Sequence, residues 1–254
     1  MNIVTLVADN QAMVTDSLGH ARPSEADRGV DPEILRHVPL FREFDDEQLA
    51  LLARLFTVHH YRKHETIFRE GDPGEKFYVI ISGSVAVVRV NADGRETILS
   101  LLRPNDFFGE MSIFDTAVRS ASVRTVSPSG VAHIEREDFL SLLERTPRMG
   151  RMLVVALAER LRSANALIAS ATTRDIRARL ATLLLSLAER FGEATEDGTR
   201  ISVRLTNQEM ANMIGTTRET VNRTLNRLWD EHVIDMRTSR VVILQRERLQ
   251  ALVS

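Results

Sequence analysis

Two stretches of this chain bring together residue types that can recognise charged ligands. The first is Phe107–Val123, FFGEMSIFDTAVRSASV, where Gly109-Glu110 is followed by Arg119-Ser120-Ala121. Glycine has no Cβ, so its backbone can approach a ligand closely. A carboxylate accepts from a sugar hydroxyl, and a guanidinium clamps phosphate through its planar fork. Glu110 and Arg119 facing one pocket therefore suit a ligand that carries both a ribose hydroxyl and a phosphate. The same two side chains would equally make a structural salt bridge. The second stretch is Thr206–Glu231, TNQEMANMIGTTRETVNRTLNRLWDE. A helix capped by Thr206 starts at Asn207, with Met210, Met213 and Ile214 apolar. Gly215 breaks it, and after Thr216 a second helix turns Val221, Leu225 and Leu228 inward. Helix, short glycine-containing turn and helix are the helix-turn-helix plan. The outward face of the second helix then carries Thr217, Arg218, Thr220, Asn222, Arg223 and Arg227, which suit base edges and phosphates.

The elements around these stretches follow from periodicity and punctuation. Asp31-Pro32 signals a helix start, with Asp as cap and Pro at the first helical position. Leu49, Leu52, Ala53 and Phe56 mark a second helix, capped by Asp45. Short β-branched runs follow at Thr66–Arg69, Phe77–Ser82, Val85–Val90, Thr97–Leu102, Ala121–Val126 and Val131–Ile134, and a short strand ends at Gly109. Their spacing predicts a sandwich, roll or barrel, with Asp93-Gly94 as the clearest hairpin turn and Ser127–Gly130 as another turn. After Glu135 strand texture stops until the C-terminal end. Glu137–Arg145 is a short helix, closed by Thr146-Pro147, and Pro147 opens a long helix to Ser170. Met149, Leu153, Leu157, Leu161, Ala164 and Ile168 recur along it at steps of 3 or 4, the spacing of a coiled-coil seam. The same stripe would serve to pack the helix on its own domain. Arg174–Phe191 continues as a helix ended by Gly192 in the C′ position. Val233–Met236 and Val241–Leu244 flank Arg237–Arg240 as a small β wing.

Composition narrows the chemistry. The 254 residues are 43% hydrophobic and 27% charged, with a formal charge of −2 and no cysteine. Disulfides, iron–sulfur clusters, thiolate zinc sites and a Cys nucleophile are thereby excluded. Residues 200–254 nevertheless hold nine arginines against six acids. No apolar run is long enough to span a bilayer. The start lacks a basic n-region and carries Asp9, so no secretory signal is expected and the chain reads as cytoplasmic. A cupin-like metalloenzyme would need histidines on one side of a strand, yet adjacent His59 and His60 point to opposite faces. No metal site and no catalytic residue are expected. A regulatory subunit of a kinase or channel would leave the helix-turn-helix without a role.

The two stretches and their order resemble the cyclic-AMP-receptor/FNR family of bacterial transcription regulators. The resemblance covers residues 33–245 and rests on Gly71, Gly74, Gly83-Ser84-Val85, Gly94, Phe108-Gly109-Glu110, Arg119-Ser120-Ala121, and Arg218-Glu219-Thr220-Val221 with Arg223. It implies an α+β fold: a disordered arm at 1–30, a cyclic-nucleotide-binding β-roll at 31–146, a dimerisation helix at 147–172 and a winged helix-turn-helix domain at 173–254. It implies an effector, cyclic AMP foremost, held by Phe108, Gly109, Glu110, Met111, Arg119 and Ser120, with Glu110 on the ribose 2′-hydroxyl and Arg119 and Ser120 on the cyclic phosphate. The family's cyclic-AMP sensors contact the purine with adjacent Thr and Ser on the long helix; an ungapped reading back from Asp175 puts Ala164 and Asn165 there, leaving Asn165 as base contact. His59, His60, His64 and His133 leave a haem effector open, and a vestigial pocket is the other alternative. DNA contacts fall on Thr206, Asn207, Thr217, Arg218, Glu219, Asn222, Arg223 and Arg227. The implied partners are a palindromic TGTGA/TCACA operator, a second copy of the chain and RNA polymerase; no membrane is expected.

Overall fold

The computed structural model describes residues 29–114, 118–171, 175–236 and 240–253. Most of the expected arm, and residues 172–174, lie outside those residues. Two compact units are present. One is built from residues up to Val85 together with Leu102–Arg160, the other from Ala86–Leu101 together with Leu161 onward.

Along the chain, α1 (Pro32–Arg36) starts where the Asp31 carboxylate accepts from the Glu33 N–H at 2.9 Å. Helix α2 (Asp46–Ala53) starts on a reciprocal capping box between Asp45 and Gln48. The strands follow as β1 (Thr57–Tyr61), β2 (Thr66–Phe68), β3 (Lys76–Ser82), β4 (Val85–Val90), β5 (Glu96–Leu102), β6 (Phe107–Phe108), β7 (Ser122–Thr125) and β8 (Ser129–Glu135), with the one-turn α3 (Met111–Phe114) between β6 and β7. They form two four-stranded sheets, ordered β1-β8-β3-β6 and β2-β7-β4-β5. Strand β8 begins at Ser129, so the expected Ser127–Gly130 turn is shorter than the sequence suggested. Ser129 and Gly130 pair with Tyr61 and His60 of β1, a strand whose polar TVHHY sequence gave no alternation to detect.

Period-2 geometry in β3 and β6 divides the core from a second side of the sheet. Phe77, Val79 and Phe107 enter a hydrophobic core shared with α1, α2 and α4 (Arg136–Arg145). Phe77 stacks on Phe139 there at 4.1 Å between ring centroids. Tyr78 and Phe108 lie on the other side, stacked at 4.9 Å and joined by Phe68.

Helix α5 spans Pro147–Ala171, about 37 Å at 1.5 Å per residue. The expected apolar seam divides along it. Met149 and Leu153 are buried in the first unit's own core and Leu157 packs against it, whereas Leu161 and Ala164 are exposed, as are Val154 and Val155 off the seam. The first turns therefore pack on their own domain, and only the later ones offer an apolar face. The Ile168 side chain lies outside the described residues.

The C-terminal elements open with α6 (Ile176–Phe191), capped by Asp175, which accepts from the Arg177 N–H at 2.8 Å. Gly192 is not the left-handed cap expected of it: its φ of −78° and ψ of 136° are extended. The chain runs directly into β9 (Gly192–Thr195), and a Cβ at 192 would lie 2.1 Å from the Ala188 carbonyl oxygen. Strand β10 (Gly198–Ile201) completes a hairpin that corrects the expectation of no strand before the C-terminal wing. Then come α7 (Asn207–Ile214), α8 (Arg218–Asp230), β11 (Ile234–Asp235), β12 (Val242–Ile243) and α9 (Arg246–Ala251). The sheet order is β11-β12-β10-β9, so the wing and the hairpin are one sheet. The wing tip, Arg237–Ser239, lies outside the described residues.

Candidate functional site

The side of the roll that carries Tyr78 and Phe108 is built around one buried arginine. Arg119 is only 3% exposed. Its Nη1 donates to the Gly109 carbonyl at 2.8 Å and to Ser112 Oγ at 2.9 Å, and its Nη2 donates to the Lys76 carbonyl at 2.8 Å. The guanidinium lies 4.3 Å over the Phe68 ring and 5.5 Å over that of Tyr78. Its backbone is bracketed by the β2–β3 turn, through Gly71 N–H to the Arg119 carbonyl and Arg119 N–H to the Asp72 carbonyl, both 2.9 Å. Nε is buried without a hydrogen-bond partner among the described residues. Burial draws the guanidinium pKa down, against Tyr78, Glu110 and Asp72, which draw it up. The Tyr78 hydroxyl is itself pushed up to about 12 by burial, with Arg119 opposing.

Gly109 is required twice in this arrangement. Its φ is +82°, and a Cβ there would stand 2.8 Å from Arg119 Nη1 and 3.1 Å from the Lys76 carbonyl. Glu110, 4% exposed, does not meet Arg119 in a direct ion pair. Its Oε1 instead accepts from Arg160 Nη1 of α5 at 2.8 Å. Arg160 also donates to the Phe107 carbonyl and lies 4.5 Å over the Phe107 ring. Phe108 is buried, Met111 and Ser120 are exposed with Ser120 Oγ 3.7 Å from Met111 Sδ, and Asn165 is exposed on α5. The structure thus brings Phe108, Gly109, Glu110, Met111, Arg119 and Ser120 together at the β6–α3 and β7 ends. Sequence reasoning missed Arg160. Its partner lies fifty residues earlier in the sequence, so no local pattern could have pointed to it. Of the histidines, His59 and His133 stack on each other at 5.1 Å, and His133 Nε2 lies 3.6 Å from Glu135. No cluster of three or more candidate metal ligands occurs among the described residues.

In the second unit a surface is shaped by caps. Thr206 and Glu209 form a capping box that starts α7, with the Thr206 N–H donating to Glu209 Oε2 at 2.8 Å and the Glu209 N–H to Thr206 Oγ1 at 3.1 Å. Gly215 ends α7 in the left-handed region, φ 64°. Arg179 of α6 donates to the Ile214 carbonyl at 2.8 Å, satisfying an orphan acceptor at the helix end. Thr217 caps α8, accepting from the Thr220 N–H at 3.3 Å. Val221, Leu225 and Leu228 are buried. Thr217, Arg218, Glu219, Asn222, Arg223 and Arg227 are exposed, and the last four share a shallow depression of the outer face with Asn226 and Asp230. Glu219 is held below the usual carboxylate range, first by a backbone N–H at its own helix start, then by the Thr217 hydroxyl and the Arg218 charge.

A family model of cyclic nucleotide-binding domains matches residues 58–146, and one of Crp-like helix-turn-helix domains matches residues 178–252. A CRP-like cAMP-activated global transcriptional regulator of Mycobacterium tuberculosis is 35% identical over 217 residues, 85% of this chain and 97% of that protein. The chain belongs to the cyclic-AMP-receptor/FNR family. Among solved structures, the c-di-GMP responsive global regulator CLP of Xanthomonas campestris is 27% identical over 74% of this chain and 94% of its own, with a TM-score of 0.65. FixK2 of Bradyrhizobium japonicum shares the fold at a TM-score of 0.71 and 24% identity, over 78% of this chain and 98% of its own. The protein is accordingly a DNA-binding transcription regulator with a cyclic-nucleotide-binding domain, in a family that is not enzymatic. No helix among the described residues is long and apolar enough to cross a membrane.

Proposed function

We propose that this regulator binds cyclic AMP in the roll and, as a dimer, reads a palindrome of TGTGA and TCACA. The observation that carries the reading is the buried Gly109–Glu110–Arg119 constellation. An arginine held in fixed position by three protein acceptors, with Nε still unpaired, is preorganised for a cyclic phosphate. Ser120, beside it, adds a hydroxyl toward the same phosphate. Glu110 supplies the carboxylate for a ribose 2′-hydroxyl. Phe108 and Met111 line the same end, and Asn165 provides the base contact. Cytoplasmic location and contact with RNA polymerase belong to the same reading.

The long helix carries the signal. Glu110 grips Arg160 of α5 directly, so a ribose hydroxyl that engages Glu110 competes with that grip. Asn165 is five residues further along the helix. A ligand shifts the DNA-competent state only by its differential affinity for the two states, about 1–3 kcal/mol of coupling. The exposed Val154, Val155 and Leu161 give the dimer its apolar face, and helix-turn-helix dimers pair half-sites about 34–36 Å apart. On DNA, Arg218 and Arg223 take guanine O6 and N7, and Glu219 accepts from cytosine N4. Thr206, Asn207, Thr217 and Arg227 meet backbone phosphates.

One observation favours a second reading. Arg119 is already met by Gly109, Ser112 and Lys76, and Glu110 by Arg160, which would hold the domain's shape with no effector at all. Titration calorimetry against cyclic AMP and cyclic GMP, repeated with operator DNA, tests both. Saturable cyclic-AMP binding that raises DNA affinity supports the proposal; DNA affinity indifferent to saturating nucleotide favours the vestigial pocket. Light scattering that returned the single-chain mass of 28.6 kDa at micromolar concentration would sink the dimer.

A further inference from the structure

We propose that Asn222, braced by Asn207, reads an A·T pair of the half-site. The inference rests on the half-site reading above, in which Arg218, Arg223 and Glu219 account for the G·C pairs of TGTGA. The A·T pairs have no reader among those three residues. Asparagine is the side chain that pairs with adenine through N6 and N7 together.

The placement supports that role. At 100° per residue, Asn222 falls between Arg218 and Glu219 around α8, one turn deeper than Arg218. The buried positions Val221, Leu225 and Leu228 centre about 95° from Asn222 around the helix, so its exposed side chain lies at the flank of the outer sector that faces Asn207 of α7. Asn207 Nδ2 donates to Asn222 Oδ1 at 3.0 Å. Asn207 is the first residue of α7, and the Thr206–Glu209 capping box fixes that helix start. The brace therefore runs from a rigid point. It also restrains a side chain that would otherwise lose rotamer freedom on binding. It does not consume the groups needed for adenine: Asn222 Oδ1 keeps a second lone pair for the N6 amine, and Asn222 Nδ2 keeps its protons for N7. Asn207 is a positioning residue in this scheme, and Asn222 makes the base contact. Asn207 also lies at the start of the helix that crosses the DNA backbone in this motif, so the pair ties base reading to phosphate register.

The experiment is selection from random double-stranded DNA by the full chain, with and without cyclic AMP, for the parent, Asn222→Ala, Asn207→Ala and Asn207→Gln. The parent is expected to select guanine at the arginine-facing positions and A·T at the neighbouring ones. Asn222→Ala is expected to keep the guanines and lose roughly 5- to 150-fold discrimination at one A·T pair. Asn207→Ala should weaken discrimination at that same pair and no other, with an unchanged melting temperature, and Asn207→Gln should restore part of it. An Asn222→Ala profile identical to the parent's overturns the inference and leaves the half-site reading intact. Loss of the guanines as well in Asn222→Ala overturns it too, because the residue would then be supporting the helix. A parent profile without guanine at the arginine-facing positions overturns the half-site reading itself.

Discussion

Arginine and glutamate are used twice in this protein, under opposite conditions. In the roll, Glu110 and Arg119 are 4% and 3% exposed, and protein acceptors or donors meet both. On α8, Glu219 and Arg223 are exposed and stand over a scaffold of buried Val221, Leu225 and Leu228. A buried charge left without a partner costs several kcal/mol, whereas an exposed one adds little to folding. The pocket's recognition groups are therefore part of the fold, and the reading face's groups are not. Substitutions should separate the two regions: pocket changes disturb stability and ligand together, and face changes disturb DNA alone.

The strongest test is Arg119→Ala. It removes the donors to the Gly109 and Lys76 carbonyls and to Ser112 Oγ. Charge-assisted bonds contribute about 1.5–3 kcal/mol each, so two lost phosphate contacts should reduce cyclic-nucleotide affinity by roughly 100-fold or more. Denaturant unfolding should fall by about 3 kcal/mol at the same time, because the buried carbonyls lose their partners. Arg218→Ala on the reading face should stay within about 0.5 kcal/mol of the parent. Equal unfolding midpoints for the two variants would break the comparison.

A pair of glycines sharpens it. Gly109 and Gly215 both have positive φ, +82° and +64°. A Cβ at 109 meets Arg119 Nη1 at 2.8 Å, while at 215 the nearest atom is Arg179 Nη1 at 3.8 Å. Gly215→Ala should carry only the conformational penalty, about 1 kcal/mol, and keep DNA binding. Gly109→Ala should carry that penalty plus displacement of Arg119, with nucleotide binding lost by calorimetry. Nucleotide binding retained in Gly109→Ala would mean that Arg119 is mobile rather than built in.

The same contrast explains what the sequence could reveal. The helix-turn-helix was legible because its parts are local: Thr206 with Glu209, Gly215 and Thr217 are capping chemistry within a few residues, and the buried positions repeat at helical period. The roll's strands were legible where apolar residues alternate or run together. Strand β1 and the β9–β10 hairpin escaped, since TVHHY and GEATEDGTRI are polar, and β9 is exposed along its whole length. Arg160 escaped for a different reason. Its partner Glu110 lies fifty residues earlier, and nothing local marks an ion pair that only tertiary structure creates. Gly192 was placed by a rule about helix ends, but the sheet that begins there decides its conformation.

On the reading face, Arg223→Ala should lose about 1–3 kcal/mol of discrimination at one guanine. Its unfolding midpoint should match the parent's. Competition binding between the palindrome and a copy with that guanine replaced measures the loss; an equal drop on both DNAs would assign Arg223 to phosphate instead.

The smallest expected effect separates affinity from reading within the face itself. Arg227 stands one turn beyond Arg223 along α8, further from the N-terminal end that contacts base edges in this motif. A group that far along the helix meets the sugar–phosphate backbone, and phosphate contacts position without specifying. Each phosphate neutralised releases condensed counterion, which sets the salt dependence of binding at about −0.9 in log–log slope per contact. Arg227→Ala should therefore weaken every DNA sequence by the same factor and reduce the magnitude of the salt slope by about 0.9 per subunit, leaving the selected sequence unchanged. Filter or anisotropy binding across a salt series reads both quantities. A change in selected sequence with an unaltered slope would move Arg227 into the base-reading set and widen the sector that α8 presents to DNA.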